Sequence, residues 1–224
     1  MKLLQVVLVL VFVAIIAAKV PHTRQSSLNV LAQVKSAIPS KRSRSSQQTT
    51  EDVLNNFFRS VLTTQTEAVH MVLAIEDDLT TFGESIEYWC WEYNALTLES
   101  TVRWIGGGYS DCLDKLDTSV AELLAEVNSG NHDQEVDLSQ YQVFALFRKS
   151  NIISNPEAIG NNIASIDFGI TKDIPELGGE LSAFENNLNE ILTAYSKCLT
   201  QKFISQQEVF DNILKTSKLC ADID

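Results

Sequence analysis

Four cysteines are the residues whose type and spacing point most directly to chemistry in this sequence: Cys90, Cys112, Cys198 and Cys220. Their number is even, and a chain that enters an oxidising compartment pairs such cysteines as disulfides. No two of them have the two-to-four-residue spacing of a zinc site, and Cys-x-x-Cys is absent. We therefore expect two disulfides, no metal site and no redox catalysis.

The distances between the cysteines along the chain restrict how they can pair. Cys90 to Cys112 and Cys198 to Cys220 are each 22 residues apart, which on a helix puts both members on one face, about 33 Å apart. Bridged Cα atoms lie within about 7 Å, so bonds between two helical segments must run from one segment to the other. Antiparallel helices give Cys90–Cys220 with Cys112–Cys198, and parallel helices give Cys90–Cys198 with Cys112–Cys220. A local pairing within each segment needs a tight reversal there.

Matching sequences around the inner cysteines favour the antiparallel pairing. Cys112 lies in Tyr-Ser-Asp-Cys-Leu, from Tyr109 to Leu113, and Cys198 lies in Tyr-Ser-Lys-Cys-Leu, from Tyr195 to Leu199. Matching neighbours suit a bond with a local pseudo-twofold axis. We expect bonds between Cys90 and Cys220 and between Cys112 and Cys198.

The N-terminus is typical of a secretory signal peptide. An apolar run from Leu3 to Ala18 follows Lys2, and the run ends in the small residues Ala17 and Ala18, which are typical of a signal-peptide cleavage site. At about 15 residues the run is shorter than the roughly 20 of a transmembrane helix. We predict a signal peptide at 1–18, cleavage after Ala18, secretion, and no stable membrane span afterwards.

Charge divides the remaining chain into two parts. Residues 19–50 hold six basic residues and no acid, whereas 51–224 hold 10 basic and 29 acidic residues, a net charge of −19. We expect 19–50 to be a basic Ser/Thr-rich linker or propeptide, mobile from Lys41 to Thr50. The run from Lys41 to Arg44 is either a processing site or a solvated linker. The whole chain has a net charge of −12, which argues against nucleic-acid binding.

Apolar spacing predicts an all-α fold for the acidic domain 51–224: a disulfide-linked helical bundle with a long C-terminal helix. One helix spans Glu51 to Leu79, with Thr49 or Thr50 as its N-cap. Its predicted apolar face comprises Leu54, Phe58, Val61, Val69, Val72 and Leu79. A second starts near Glu84, is broken or bent at glycines 106–108, and resumes from Tyr109 to Val127. Its predicted buried face comprises Ile86, Trp89, Tyr93, Leu96 and Val102. A short helix is expected within 138–149, and irregular chain with room for one short helix or strand pair from 150 to 179. A long helix is expected from Glu180 onward, single or in two collinear parts.

All three tryptophans fall within 16 positions, which marks a candidate hydrophobic surface or pocket. Trp89 and Trp91 point about 200° apart on a helix, so both cannot face one core. The candidate site residues are Trp89, Trp91, Tyr93 and Trp104.

The cysteine spacing and the two Tyr-x-x-Cys-Leu motifs, together with the signal peptide, resemble the TsetseEP-domain family of insect secreted proteins. The resemblance covers about 84–221. It implies a secreted, disulfide-linked helical protein of insect gut, haemolymph or secretory glands, and it supplies no catalytic residues. The Glu-Pro repeat tail of the family's namesake is absent here, since the chain has four prolines.

No nucleophile, base or metal constellation is recognisable, so we expect neither an enzyme nor a cofactor. The histidines His22, His70 and His132 are scattered. The function expected is extracellular binding or interaction, in defence or reproduction as the resemblance implies. The alternative is a carrier of small hydrophobic ligands. Its partner would be an extracellular protein in the first case and a small hydrophobic ligand in the second.

Overall fold

The computed structural model describes residues 20–38, 48–129, 143–147, 149–163 and 177–222. The predicted signal peptide and the basic cluster 41–44 lie outside the described residues. Within those ranges the fold is all-α, as predicted. The described ranges contain five α-helices: α1 (Val20–Ala37), α2 (Thr50–Glu84), α3 (Tyr88–Ser129), α4 (Pro156–Ile163) and α5 (Leu181–Ala221). Short 3₁₀-helices occupy Val143–Phe147 and Gly178–Glu180.

Helix α2 begins where its capping sequence places it. The Thr49 hydroxyl accepts a hydrogen bond from the Asp52 backbone N–H (3.1 Å), and the Asp52 carboxylate accepts one from the Thr49 N–H (3.4 Å). This reciprocal pair satisfies two of the N–H groups that a helix start leaves without intrahelical partners. The predicted apolar face is buried as expected: Leu54, Phe58, Val61, Val69, Val72 and Leu79. The predicted helix and its Thr49 cap are therefore confirmed.

Helix α5 is the long C-terminal helix predicted from Glu180 onward, and it is a single helix. It packs antiparallel to α3, and these two helices share the most extensive contact of the fold. Helix α2 packs against both of them, so the three long helices surround the core. The α5 side chains that enter this core are Phe184, Leu188, Tyr195, Leu199, Phe210 and Ile213.

Helix α3 corrects two predictions about where this part of the chain bends. It starts at Tyr88 rather than near Glu84, because α2 continues to Glu84 and a turn at 85–87 separates the helices. It also runs without a break through glycines 106–108, which are neither a hinge nor a turn. Gly106 and Gly108 serve close packing instead. A Cβ on Gly106 would overlap the Asn151 side chain, with its Cγ at 2.9 Å, and a Cβ on Gly108 would lie 2.8 Å from Lys202 Cδ.

Asn151 explains why a glycine is required at position 106. Its Nδ2 donates to the Arg103 carbonyl of α3 (2.8 Å), and its Oδ1 accepts from the backbone N–H groups of Ile153 and Ser154, both at 3.0 Å. The loop before α4 is thereby fixed to the surface of α3. By contrast, no atom lies within 4 Å of a Cβ built on Gly107.

Two neighbouring substitutions test this packing role. Gly106→Ala should lower the free energy of unfolding by about 1–3 kcal/mol, because the methyl group displaces Asn151. Gly107→Ala should raise it by about 0.5–1 kcal/mol, because alanine is the better helix former and meets nothing. Urea unfolding followed by circular dichroism measures both. Equal effects of the two substitutions would contradict the assignment of Gly106 as the contact point.

The predicted linker or propeptide 19–50 contains helix α1, which was not expected there. Val30, Leu31, Val34 and Ile38 are buried in the main core, and α1 packs against α2 and α4. Arg59 of α2 donates through Nη1 to the Ile38 carbonyl (2.9 Å), and Lys35 Nζ donates to Thr63 Oγ1 (2.7 Å). Residues 20–38 are thus an integral part of the bundle.

The chain between α3 and α5 is described only in part. Of the short helix predicted within 138–149, residues 143–147 form a 3₁₀-helix, and 138–142 lie outside the described residues. Phe144 and Phe147 are buried there, and the Phe144 ring meets the Phe58 ring edge-on with centroids 5.5 Å apart. Helix α4 is the one short helix allowed for in the region expected to be irregular.

Candidate binding surface

The four cysteines form two disulfides that join α3 to α5. Cys90 pairs with Cys220 and Cys112 pairs with Cys198, with Cα atoms 5.6 and 5.9 Å apart respectively. The favoured antiparallel pairing is therefore confirmed, and the parallel and local alternatives are not adopted. Because both 22-residue separations span about six helical turns, the bonds fasten the two helices at both ends of a shared length of about 33 Å.

A buried polar cluster fixes the register of the two helices next to the first disulfide. Asn94 Nδ2 donates to Ser217 Oγ (2.8 Å), and Thr216 Oγ1 donates to Asn94 Oδ1 (3.1 Å). Asn94 and Ser217 are both buried. A slip of one residue would leave these polar groups without partners, which is costly inside a protein.

The matched tyrosines lie on either side of the second disulfide, inside the bundle. Tyr109 and Tyr195 are both buried, as are Leu113 and Leu199 of the same motifs. The Tyr195 hydroxyl donates to Gln65 Oε1 of α2, and the Tyr109 hydroxyl donates to the Ala68 carbonyl (3.5 Å). Burial raises the pKa of both hydroxyls far above the ordinary value for tyrosine. The motifs thus join the disulfide-linked pair to α2.

The first turns of α3 present aromatic side chains to solvent. Trp89 is 60 % exposed, Tyr93 is 78 % exposed and Leu96 is 62 % exposed. Their spacing of four and three residues puts them on one side of the helix. We call Trp89, Tyr93 and Leu96 the aromatic face. Tyr88 is also exposed, and a hydrogen bond to Glu92 raises the pKa of its hydroxyl.

This arrangement corrects the predicted buried face of the second helix. Trp89, Tyr93 and Leu96 were expected to be in the core, and of that predicted set Val102 is the member that is buried. The side that faces α5 carries Cys90, Asn94, Leu98, Thr101 and Ile105 instead. Its polar members are accommodated by the Cys90–Cys220 disulfide and the hydrogen bonds of Asn94. Thr101 donates through Oγ1 to the Thr97 carbonyl of the preceding turn (2.7 Å). The side that carries Trp89 and Tyr93 is therefore left outside.

The other two candidate aromatics lie apart from the aromatic face. Trp91 is partly buried against the core, and its indole occupies the space beside Gly83 of α2. Trp104 is 50 % exposed and lies under Lys202 Nζ, which is 5.4 Å from the ring centroid. Lys202 also lies 3.7 Å from an Asp111 carboxylate oxygen. Of the four residues predicted as one hydrophobic surface or pocket, Trp89 and Tyr93 share a surface.

Comparison with protein-family models, with curated proteins and with solved structures finds no match for this chain. None of the helices in the described ranges is both long and apolar enough to cross a membrane. In the same part of the chain, no group of three or more His, Cys, Asp or Glu residues is placed to hold a metal ion.

Proposed function

We propose that this chain is a secreted extracellular protein that binds a second protein through the aromatic face of α3. The observation that carries the proposal is the exposure of Trp89, Tyr93 and Leu96 together on one rigid helix. Contiguous exposed apolar patches mark interaction sites, and tryptophan and tyrosine are enriched among the residues that dominate the binding energy of protein interfaces.

The frame behind the aromatic face is rigid, which favours tight binding. Cys90 bonds α3 to α5 within the same helical turns, and Asn94 is hydrogen-bonded to α5 from the opposite side of α3. A side chain held on such a frame loses little backbone freedom when a partner binds.

Charge indicates the kind of partner. Glu92 and Glu99 are exposed and border one edge of the aromatic face, seven residues apart. Glu99 is paired with Arg103 of the next turn (2.8 Å), so Glu92 supplies most of the negative charge of this edge. Together with the net charge of −12 of the chain, Glu92 favours a partner with an apolar patch bordered by lysine or arginine. An acidic border also speeds the encounter with such a surface, and raised salt should slow it.

Secretion is supported by the signal-peptide pattern and by the two disulfides, which persist in oxidising compartments. The resemblance to the TsetseEP-domain family suggests insect gut, haemolymph or gland secretion as the setting. The carrier alternative requires an enclosed apolar cavity. Trp89 and Tyr93 line the outside of α3, which favours binding of a partner protein over transport of a ligand.

The test uses the full-length secreted protein immobilised on a support in insect haemolymph or gut fluid. Wild type is compared with Trp89→Ala/Tyr93→Ala and with the control Met71→Ala, an exposed apolar residue of α2. Surface substitutions of this kind change stability by about 0.5 kcal/mol or less, so all three should fold. We expect the immobilised wild type and Met71→Ala to retain a basic protein that the double variant does not retain. Titration of each variant with that purified partner then gives the loss of affinity.

Two results would contradict the proposal. Retention of the same proteins by wild type and the double variant would show that the aromatic face is not the binding surface. Self-association of the wild type that the double variant abolishes, measured by sedimentation equilibrium, would show that the face binds a second copy of the chain instead.

A further inference from the structure

A groove lies between α3 and α5 beyond the Cys112–Cys198 bond, at the far end of α3 from the aromatic face. It has a volume of about 650 Å³ and follows α3 from Cys112 to Glu126, a length of about 21 Å at 1.5 Å per residue. Its apolar floor comprises Leu116, Leu123, Ile191 and Tyr195, closed at one end by the disulfide.

The rim of the groove is acidic. Glu122 and Glu126 of α3 and Glu190 of α5 line it, all exposed, with Lys115 as the cation among the lining residues. Glu122 and Glu126 are four residues apart on one helix, where like charges weaken the helix. Glu190 faces them from the other wall. The lining therefore combines apolar floor contacts with three carboxylates on two opposed walls.

We propose that this groove binds a cationic amphipathic helix of a partner protein. A helix of about 14 residues matches the length of the groove. Its apolar side chains, spaced three and four residues apart, would contact the floor while its lysine or arginine side chains meet the carboxylates on the rim. The groove is partly open to solvent, whereas sites for small ligands enclose most of the ligand surface.

Charge disfavours the neighbouring parts of this chain as occupants. Residues 130–142, which follow α3, contain three acids and no lysine or arginine, and residues 164–176 contain three acids and one lysine. Either segment would bring like charge to the rim. The groove is independent of the proposed aromatic face, because Leu96 and Cys112 are 16 residues, or about 24 Å, apart along α3.

The probe is a fluorescein-labelled synthetic helix of about 14 residues that carries leucine on one side and lysine on the other. Binding to the full-length secreted protein is measured by fluorescence anisotropy at about 50 mM NaCl, where charge screening is weak. Two control peptides accompany it: one with glutamate in place of lysine, and one of the same composition whose leucines do not share a side.

Two pairs of variants locate the bound helix. Ala194→Trp fills the groove from its exposed wall and should raise the Kd about tenfold or more, whereas Thr200→Trp, exposed on α5 outside the groove, should leave the Kd unchanged.

The second pair tests the charged rim. Glu122→Gln/Glu190→Gln should raise the Kd about fivefold. Its control, Glu67→Gln/Glu208→Gln, removes the same charge from exposed positions elsewhere. Melting temperatures confirm that all four variants fold, and Tyr93→Ala should bind the peptide as wild type does.

Several outcomes would overturn the proposal. Equal binding of the three peptides, or equal binding to Ala194→Trp and Thr200→Trp, would mean that attraction is not specific to the groove. Self-association that Ala194→Trp abolishes would make a second copy the occupant. Binding that appears when residues 130–142 are replaced by a Gly-Ser linker, and not before, would make the chain's own segment the occupant.

Discussion

Replacing Cys112 and Cys198 together with alanine is expected to lower the free energy of unfolding by about 4 kcal/mol. The bond closes a loop of 86 residues, and the Cys90–Cys220 bond closes one of 130. Because the loops are nested, the remaining bond still restricts the unfolded chain when one is removed. The loss is therefore smaller than the value of about 4.6 kcal/mol for an isolated 86-residue loop.

The Cys90→Ala/Cys220→Ala variant should lose a similar amount, and removal of all four cysteines should leave no stable fold. The two losses together are comparable with the whole stability of a typical domain, about 5–15 kcal/mol. Urea titrations of the oxidised wild type and of both double variants give the free energies. A loss below about 1 kcal/mol for either variant would contradict a role of that bond in stability.

Removal of residues 19–44 from the secreted protein should prevent stable folding. Val30, Leu31, Val34 and Ile38 are each at most 7 % exposed, and burial of such side chains contributes about 1.5–3 kcal/mol apiece. Their loss amounts to at least about 6 kcal/mol and leaves the facing surfaces of α2 and α4 exposed. Arg59 would also lose the carbonyl of Ile38 to which it donates.

Single substitutions test whether the buried side chains of α1 account for its contribution to stability. Leu31→Ala should lower the free energy of unfolding by about 2–5 kcal/mol, and the exposed neighbour Gln33→Ala should change it little. Thermal unfolding of Leu31→Ala, Gln33→Ala and the chain that lacks residues 19–44 provides the comparison. If the truncated chain melts at the same temperature as the full one, then residues 19–44 behave as the removable propeptide that the basic run from Lys41 to Arg44 suggested.

Sequence reasoning succeeded where one face of a helix is apolar throughout. Helix α2 follows that rule from Leu54 to Leu79, and its start is marked by the Thr49 cap and Asp52. The disulfide pairing was also predictable, because helical spacing excludes bonds within a segment and the repeated Tyr-x-x-Cys-Leu motif distinguishes the inner bond from the outer one.

Sequence reasoning failed where polar groups are buried in pairs. The side of α3 that contacts α5 includes Cys90 and Asn94, and their compatibility with a core depends on Cys220 and Ser217, more than 100 residues away. No local pattern contains that information, so the spacing of apolar residues alone does not identify the side of α3 that packs against α5. The reason for a glycine at position 106 is likewise distant in sequence. Gly106 lies within a continuous helix, and its lack of a side chain leaves room for Asn151.

Helix α1 was missed for a different reason. The spacing of Leu31, Val34 and Ile38 is helical, but the surrounding basic and Ser-rich composition favoured an extended linker. Composition describes the average polarity of a segment, whereas a few buried apolar side chains are enough to hold a helix against the core. Residue types alone predict a candidate surface at Trp89, Trp91, Tyr93 and Trp104, whereas the structure is needed to show that Trp89 and Tyr93 are exposed together.

The nesting of the two disulfides sets how this protein withstands proteases. A single cut anywhere between Cys90 and Cys220 leaves both pieces covalently joined, because at least one bond still connects the chain on either side of the cut. Digestion of the connection between α3 and α5 would therefore give a nicked two-chain protein that still holds its long helices together. A cut between α1 and α2 has no such protection, so α1 would then be held by noncovalent contacts alone. Heating that releases α1 should therefore unfold the rest of the bundle with it.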